Sequence, residues 1–196
     1  MSESHPSPKK SNRRVLAFAL AMSPFIALAA LLVWGQVRTQ EAPGGLLEYS
    51  EAGNMVVEST LAPNLVGFDA ISGDPTELRS LHGDVVMINF WSSWCAVCRS
   101  EAADLAAVHR EYTDMPVKFL GVAILDQPGN IPPYLRQYSV GYPNIIDEAG
   151  ASAVTYGVTG VPEKYFLNRK GQVVRKIVGP LSRPALREIL DSLIQA

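Results

Sequence analysis

The sequence is poor in the residues from which ligand clusters and disulfide scaffolds are built. Its 196 residues include two cysteines, Cys95 and Cys98, and three histidines, His5, His82 and His109. A small secreted scaffold stapled by disulfides needs more cysteines than that. A zinc site needs further soft ligands, and the histidines share no ligand spacing, so no metal is expected. Charge is sparse too, at 18% of residues, with a formal net charge of -2. That total is unevenly spread: residues 1–14 carry Lys9, Lys10, Arg13 and Arg14 against Glu3, and everything after them is net acidic. An acidic body lacks the clustered Lys and Arg that a phosphate backbone requires, which excludes nucleic acid as a partner. The sequence holds no internal repeat. With two cysteines three positions apart, the pair acts together or is incidental.

Long apolar runs are equally scarce, and one stands out. Val15 to Trp34 reads VLAFALAMSPFIALAALLVW, without a charge. As a helix it spans roughly 30 Å, about one hydrocarbon thickness. Pro24 would kink a soluble helix, but membrane helices tolerate proline. Four basic residues precede the run and only Arg38 follows closely. The positive-inside rule then puts 1–14 in the cytoplasm, 15–34 in the membrane and the rest outside. The alternative is a cleaved signal peptide at Ala27-Leu28-Ala29, but that small-x-small pattern lies inside the run, with Leu31 to Trp34 still to come. An extracytoplasmic compartment oxidises thiols, so a cysteine pair acting there as a reductant needs a supply of electrons.

Residues 35–55 are polar and broken by Pro43-Gly44-Gly45, which reads as a tether to a domain over 56–196. Within that domain DVVMINF (84–90) is a buried central strand, and VKFLGVAIL (117–125) is a second. Between them, Cys95 to Tyr112 carries Ala102, Leu105, Val108 and Tyr112 at helical spacing. Asn130 is placed to cap a helix with Pro132 and Pro133 in its first turn. A short extended piece (144–147) and a short helix (149–156) follow. Residues 163–167 and 172–178 form a hairpin across Asn168-Arg169-Lys170-Gly171, and Ser182 opens a last amphipathic helix to Ile194. The order predicts an α/β fold: one mixed central sheet with helices on both faces, on the thioredoxin plan.

Trp94-Cys95-Ala96-Val97-Cys98 lies where the first core strand gives way to a helix. Unpaired N–H groups and a partial positive charge at a helix start favour a thiolate, the attacking species. Cys95 is therefore the expected nucleophile, and Cys98, one turn in and more buried, the resolving thiol. Half a metal site or a passive disulfide are the duller alternatives. Pro162 directly precedes a strand, where a thioredoxin-like domain keeps a cis-proline against its CxxC; an ordinary trans proline opening a strand is the alternative. Trp94, Val161 and Pro162 are the candidate substrate contacts, with the Val161 backbone free to pair with an extended chain.

In Asn89-Phe90-Trp91-Ser92-Ser93-Trp94-Cys95-Ala96-Val97-Cys98-Arg99-Ser100-Glu101 and Tyr156-Gly157-Val158-Thr159-Gly160-Val161-Pro162-Glu163, the domain resembles a known family. It is that of the membrane-anchored, extracytoplasmic thioredoxin-like reductases of cytochrome c maturation, the CcmG/DsbE and ResA type within the TlpA-like group. The resemblance implies a protein disulfide oxidoreductase without a cofactor, in the bacterial cytoplasmic membrane, with its domain on the periplasmic side. It implies reduction of the CxxCH disulfide of apocytochromes c, with electrons from a membrane thiol reductase of the CcdA or DsbD kind. It also implies catalytic roles for Glu101 and Glu163, as acids that raise a thiol pKa or relay protons. Each has a plainer reading: Glu101 as a first-turn acid and Glu163 as a solvated strand start. Asn89 stands where cytosolic thioredoxins keep a buried aspartate. Ala96-Val97 departs from the family in lacking a proline, which leaves the redox potential open. Two rival functions are a general TlpA-like reductase and a copper-handling module on the same fold; the copper role would call for wider cysteine spacing and a partnered histidine. His82 and His109 read as surface residues.

Overall fold

Seven consecutive residues, Val85–Trp91, are all buried and form the strand around which the rest is laid. The structure, a computed structural model, describes residues 60–196 throughout, together with 48–49, 54–56, 20, 22–23 and 27–31. In chain order the strands are β1 (Glu48–Tyr49), β2 (Asn54–Val56), β3 (Thr60–Leu61), β4 (Val66–Phe68), β5 (Pro75–Glu77), β6 (Val85–Trp91), β7 (Val117–Ile124), β8 (Asn144–Asp147), β9 (Glu163–Leu167) and β10 (Gln172–Val178). The helices are α1 (Ala96–Glu111), α2 (Ile131–Gln137), α3 (Ala151–Tyr156) and α4 (Arg183–Gln195).

The main sheet runs β1-β2-β10-β9-β6-β7-β8, with β3 also on β10. β6, β7 and β8 are parallel, β9 runs antiparallel to β6, and β10 runs antiparallel to β9. This is the mixed sheet expected from the element order. Along β6 successive side chains serve opposite faces. Val86, Ile88 and Phe90 pack with Leu120, Val122, Tyr156 and Tyr165. Val85 and Met87 pack with Leu105 and Val108 of α1 and with Leu186, Ile189 and Leu190 of α4. Both faces are buried, which is why the strand reads as an apolar run interrupted by Asn89 alone.

Local chemistry sets the boundaries. Gly171, at φ 73, takes the left-handed position in the β9–β10 turn, where Asn168 Oδ1 accepts from the backbone N–H groups of Lys170 and Gln172. Ser182 and Asn130 do occupy helix-start positions, but neither side chain makes a capping hydrogen bond. A 3₁₀ turn, Pro128–Asn130, leads directly into α2 and leaves Asn130 in helical φ/ψ, unable to cap as expected. The hairpin β4–β5 was not foreseen; Val66 and Phe68 are exposed, so the segment lacks the alternation that marks a half-buried strand. The short strand β1 falls inside the stretch read as tether, and β2 crosses its end, with Val56 on the domain side.

The chain separates into Met1–Gly44 and Gly45–Ala196. In the first unit, 20, 22–23 and 27–31 are helical; the remainder of the expected anchor, 15–34, lies outside the described residues. Among the described residues no helix is long and apolar enough to cross a membrane.

Candidate active site

The turn between β6 and α1 is tied down before the cysteines are reached. Ser92 Oγ donates to the Ile124 carbonyl at 2.7 Å, Ser93 Oγ to Asp126 at 3.0 Å, and the Arg99 guanidinium closes on the Ser93 carbonyl at 2.8 Å. Cys95 then stands at the N-cap of α1, and its sulfur accepts the Cys98 N–H at 3.0 Å. A sulfur so placed receives one of the helix's orphan donors and the positive end of its dipole, both favouring a thiolate once the bond is reduced. Cys95 and Cys98 are joined in a disulfide with Cα atoms 5.2 Å apart. Cys98 is 2% exposed and Cys95 6%, so both sulfurs lie below the surface. Behind them Tyr134 stacks on Trp91, with ring centroids 4.2 Å apart, and donates its hydroxyl to the Cys98 carbonyl at 3.1 Å.

The Val161–Pro162 bond is cis, as the sequence reading expected, and the Val161 carbonyl lies 3.6 Å from Cys95 Sγ. Trp94, 58% exposed, anchors its indole N–H on the Leu125 carbonyl at 3.1 Å. Beside the sulfur, Trp94, Leu125, Val154, Val158 and Val161 line a cavity of about 270 Å³. Trp94, Cys95, Val161 and Pro162 therefore meet in one place.

The two acids do not point into that cavity. Glu101 is buried on α1, with one carboxylate oxygen on the Lys164 ammonium and the other accepting the Leu181 N–H at 2.8 Å. Burial raises its pKa, and Lys164 offsets only part of that. Burial likewise lowers the pKa of Lys164, against the pull of Glu101. Glu163 is fully buried, not solvated; it accepts the Thr159 N–H and hydroxyl and pairs with Lys176 at 2.9 Å. Burial pushes its carboxyl up, but Lys176 and Thr159 outweigh it, and the group sits below the usual carboxylate range. Lys164 and Lys176 were not singled out from the sequence. Within the alternating hairpin they read as outward-facing strand charges, and their partners are remote or across a turn. His82 is exposed as expected, but His109 is half-buried, its ring 5.4 Å from those of both Phe119 and Tyr142.

The sequence profile of the AhpC/TSA family matches residues 58–176, more than half of the chain. The chain belongs to the AhpC/TSA family. It is 28% identical over 132 residues to the thiol-disulfide oxidoreductase ResA of Bacillus thuringiensis subsp. konkukian (strain 97-27), across 67% of this chain and 76% of that one. It is 26% identical over 180 residues to the thiol:disulfide interchange protein HelX of Rhodobacter capsulatus, across 91% and 97% of the two chains. The crystal structure of a thioredoxin-family thiol:disulfide interchange protein from Chlorobium tepidum TLS superposes with a TM-score of 0.64 at 29% identity, covering 70% of this chain and 98% of that one. This AhpC/TSA member is thus a thiol–disulfide oxidoreductase of the TlpA/ResA/CcmG kind, with a thioredoxin-like fold and a CxxC pair bonded as a disulfide.

Proposed function

We propose that this oxidoreductase works as a reductant of protein disulfides outside the cytoplasm, held to the membrane by residues 15–34, and that its substrate is the CxxCH disulfide of apocytochrome c. The observation that carries the direction of attack is Cys95 at the α1 N-cap, its sulfur beside the Val161 carbonyl. An extended substrate chain pairing with the Val161 backbone would bring its own disulfide to Cys95. Trp94 and Pro162 would flank it.

The reduced enzyme starts as a dithiol. The Cys95 thiolate attacks one substrate sulfur, forming a mixed disulfide and releasing the other substrate sulfur as a thiolate. Cys98, deprotonated, then attacks Cys95 Sγ, closing the Cys95–Cys98 bond and releasing the second substrate thiolate. Two electrons pass to the substrate, whose sulfurs take up two protons, and a dithiol donor must restore the enzyme. A membrane thiol reductase of the CcdA or DsbD kind fits that need. Support for the side of the membrane comes from the four basic residues before the 15–34 run, with only Arg38 close after it.

Trapping tests the proposal. Full-length Cys98→Ser, incubated with oxidised apocytochrome c, should accumulate a covalent adduct through Cys95 that dithiothreitol dissolves. Adducts with many exported proteins but none with apocytochrome would move the function to a general TlpA-like reductase. That second reading has its own support, because the cavity beside Cys95 is lined without a charged side chain to read the histidine of CxxCH.

A further inference from the structure

Cys98 must gain or lose a proton during exchange, at a sulfur almost closed to solvent. The charged group one helical turn away on the same side of α1 is Glu101, and its surroundings are unusual for a strand-and-helix core. Besides the Leu181 N–H, this buried carboxylate meets a lysine that is itself 0% exposed. The Lys164 ammonium holds Glu101 and donates to the Gly179 carbonyl at 2.9 Å. Through that one side chain α1, β9 and the turn at 179–181 are tied together.

Asn89 is the second observation. It pairs directly with Lys164 across β6 and β9, so both side chains lie on the sheet face that α1 covers. Its Oδ1 is buried and has no hydrogen-bond partner among the described residues. An ammonium has three protons to give, and two are engaged by Glu101 and Gly179. Asn89 thus places a neutral amide opposite Lys164 in the strand register, where a carboxylate would compete with Glu101 for the lysine.

We infer that Lys164 is a positioning residue for the exchange reaction: it fixes the Glu101 carboxylate toward the Leu181 N–H and offsets its charge beside Cys98. The inference rests on the reading of Glu101 as the acid that acts on the cysteine pair. The other groups facing Glu101 are accounted for. Asp104, on the same helix, is held by Arg183 at 2.8 Å; Tyr134 of α2 spends its hydroxyl on the Cys98 carbonyl; Tyr142 is buried and its phenol is pushed far above the usual range by that burial. Nearer the cysteines, Arg99 and Asp126 are both engaged by Ser93. Lys164 is thus the cation that decides whether Glu101 bears a charge. Without it, the Leu181 N–H is left to oppose burial, and burial favours the protonated form.

The test is a titration of the reduced full-length chain in detergent micelles, labelled with ¹³C at cysteine Cβ and glutamate Cδ. In Lys164→Met, the Glu101 midpoint should rise by about one unit or more, and Cys98 Cβ should gain a second inflection at that pH. The inflection should vanish in the Glu101→Gln/Lys164→Met double variant. Glu101 and Cys98 midpoints that stay at their parent values in Lys164→Met would overturn the inference and leave the lysine as packing. If Lys164→Met does not fold, Glu101→Gln is compared with the double variant, in which the buried pair is replaced by neutral groups. Removing the unpaired lysine should raise the Cys98 midpoint, and equal midpoints would overturn the inference. Cysteine titrations unchanged in Glu101→Gln would instead remove the reading of Glu101 itself, and with it the role of its partner.

Discussion

Lys176 Nζ lies 2.9 Å from a carboxylate oxygen of Glu163, on the opposite face of β9 from the ammonium of Lys164, which holds Glu101. The strand that follows the cis-proline is thus clamped by charge on both faces. Glu163 also gathers the Thr159 N–H and hydroxyl, so one carboxylate fixes the loop that carries Val161. Such pairs add little net stability against apolar replacements, yet breaking one by removing a single partner is expensive. Their value here lies in holding a loop and a helix in register.

That arrangement makes acid stability depend on Glu163. A carboxyl held below its unfolded value favours the native state above that value, and the contribution is lost as pH falls through the folded value. Thermal midpoints of the parent should therefore drop as pH is lowered below about 4.5, the ordinary value for the group. In Glu163→Gln the acid limb should be flatter, while stability at pH 7 falls by about 3–5 kcal/mol because Lys176 is left without its carboxylate. Calorimetry across this range checks both; a parallel acid limb would show that Glu163 is not the group responsible.

The two cysteines should differ in reactivity. Reduced Cys98→Ser, which retains Cys95 at the helix cap, should react with iodoacetamide at pH 7 at least roughly tenfold faster than Cys95→Ser. Stopped-time alkylation followed by mass spectrometry measures the two rates. Equal rates would contradict the assignment of Cys95 as attacker.

Gly121 is a site where one methyl should be felt at the disulfide. A Cβ there would sit 1.7 Å from Asn144 Oδ1 and 3.1 Å from Trp91 Nε1. Those two atoms are hydrogen-bonded to each other at 2.9 Å, and the Trp91 ring supports Tyr134 beneath Cys98. Gly121→Ala should lower the urea midpoint by the equivalent of about 3 kcal/mol or more, with unchanged far-ultraviolet dichroism at low denaturant. A midpoint within error of the parent would mean that β7 and β8 can part without cost.

Much of this architecture was legible because it rests on local patterns. The β6 run, the helical spacing from Ala102 to Tyr112 and the Val161-Pro162 step each announce themselves within a few residues. The partners of the acids do not. Lys164 and Glu101 are 63 positions apart, and a lysine in an alternating strand carries no mark of facing inward. β4 and β5 escaped for the opposite reason: their large side chains are exposed, so burial leaves no pattern in the sequence.

Topology offers a test independent of the fold. A membrane-impermeant maleimide applied to spheroplasts expressing the full chain should label reduced Cys95, and a chain lacking residues 1–40 should leave the membrane fraction. Labelling only after lysis would place the domain on the other side.

The depth of the sulfurs sets a condition on timing. A disulfide already enclosed in a finished protein cannot insert its main chain beside Val161 and reach a sulfur that is 6% exposed. Only a chain still open on both sides of its cysteines satisfies that geometry. If substrates dock as proposed, the enzyme reads their maturity: open chains stay within reach, and folded ones pass out of it.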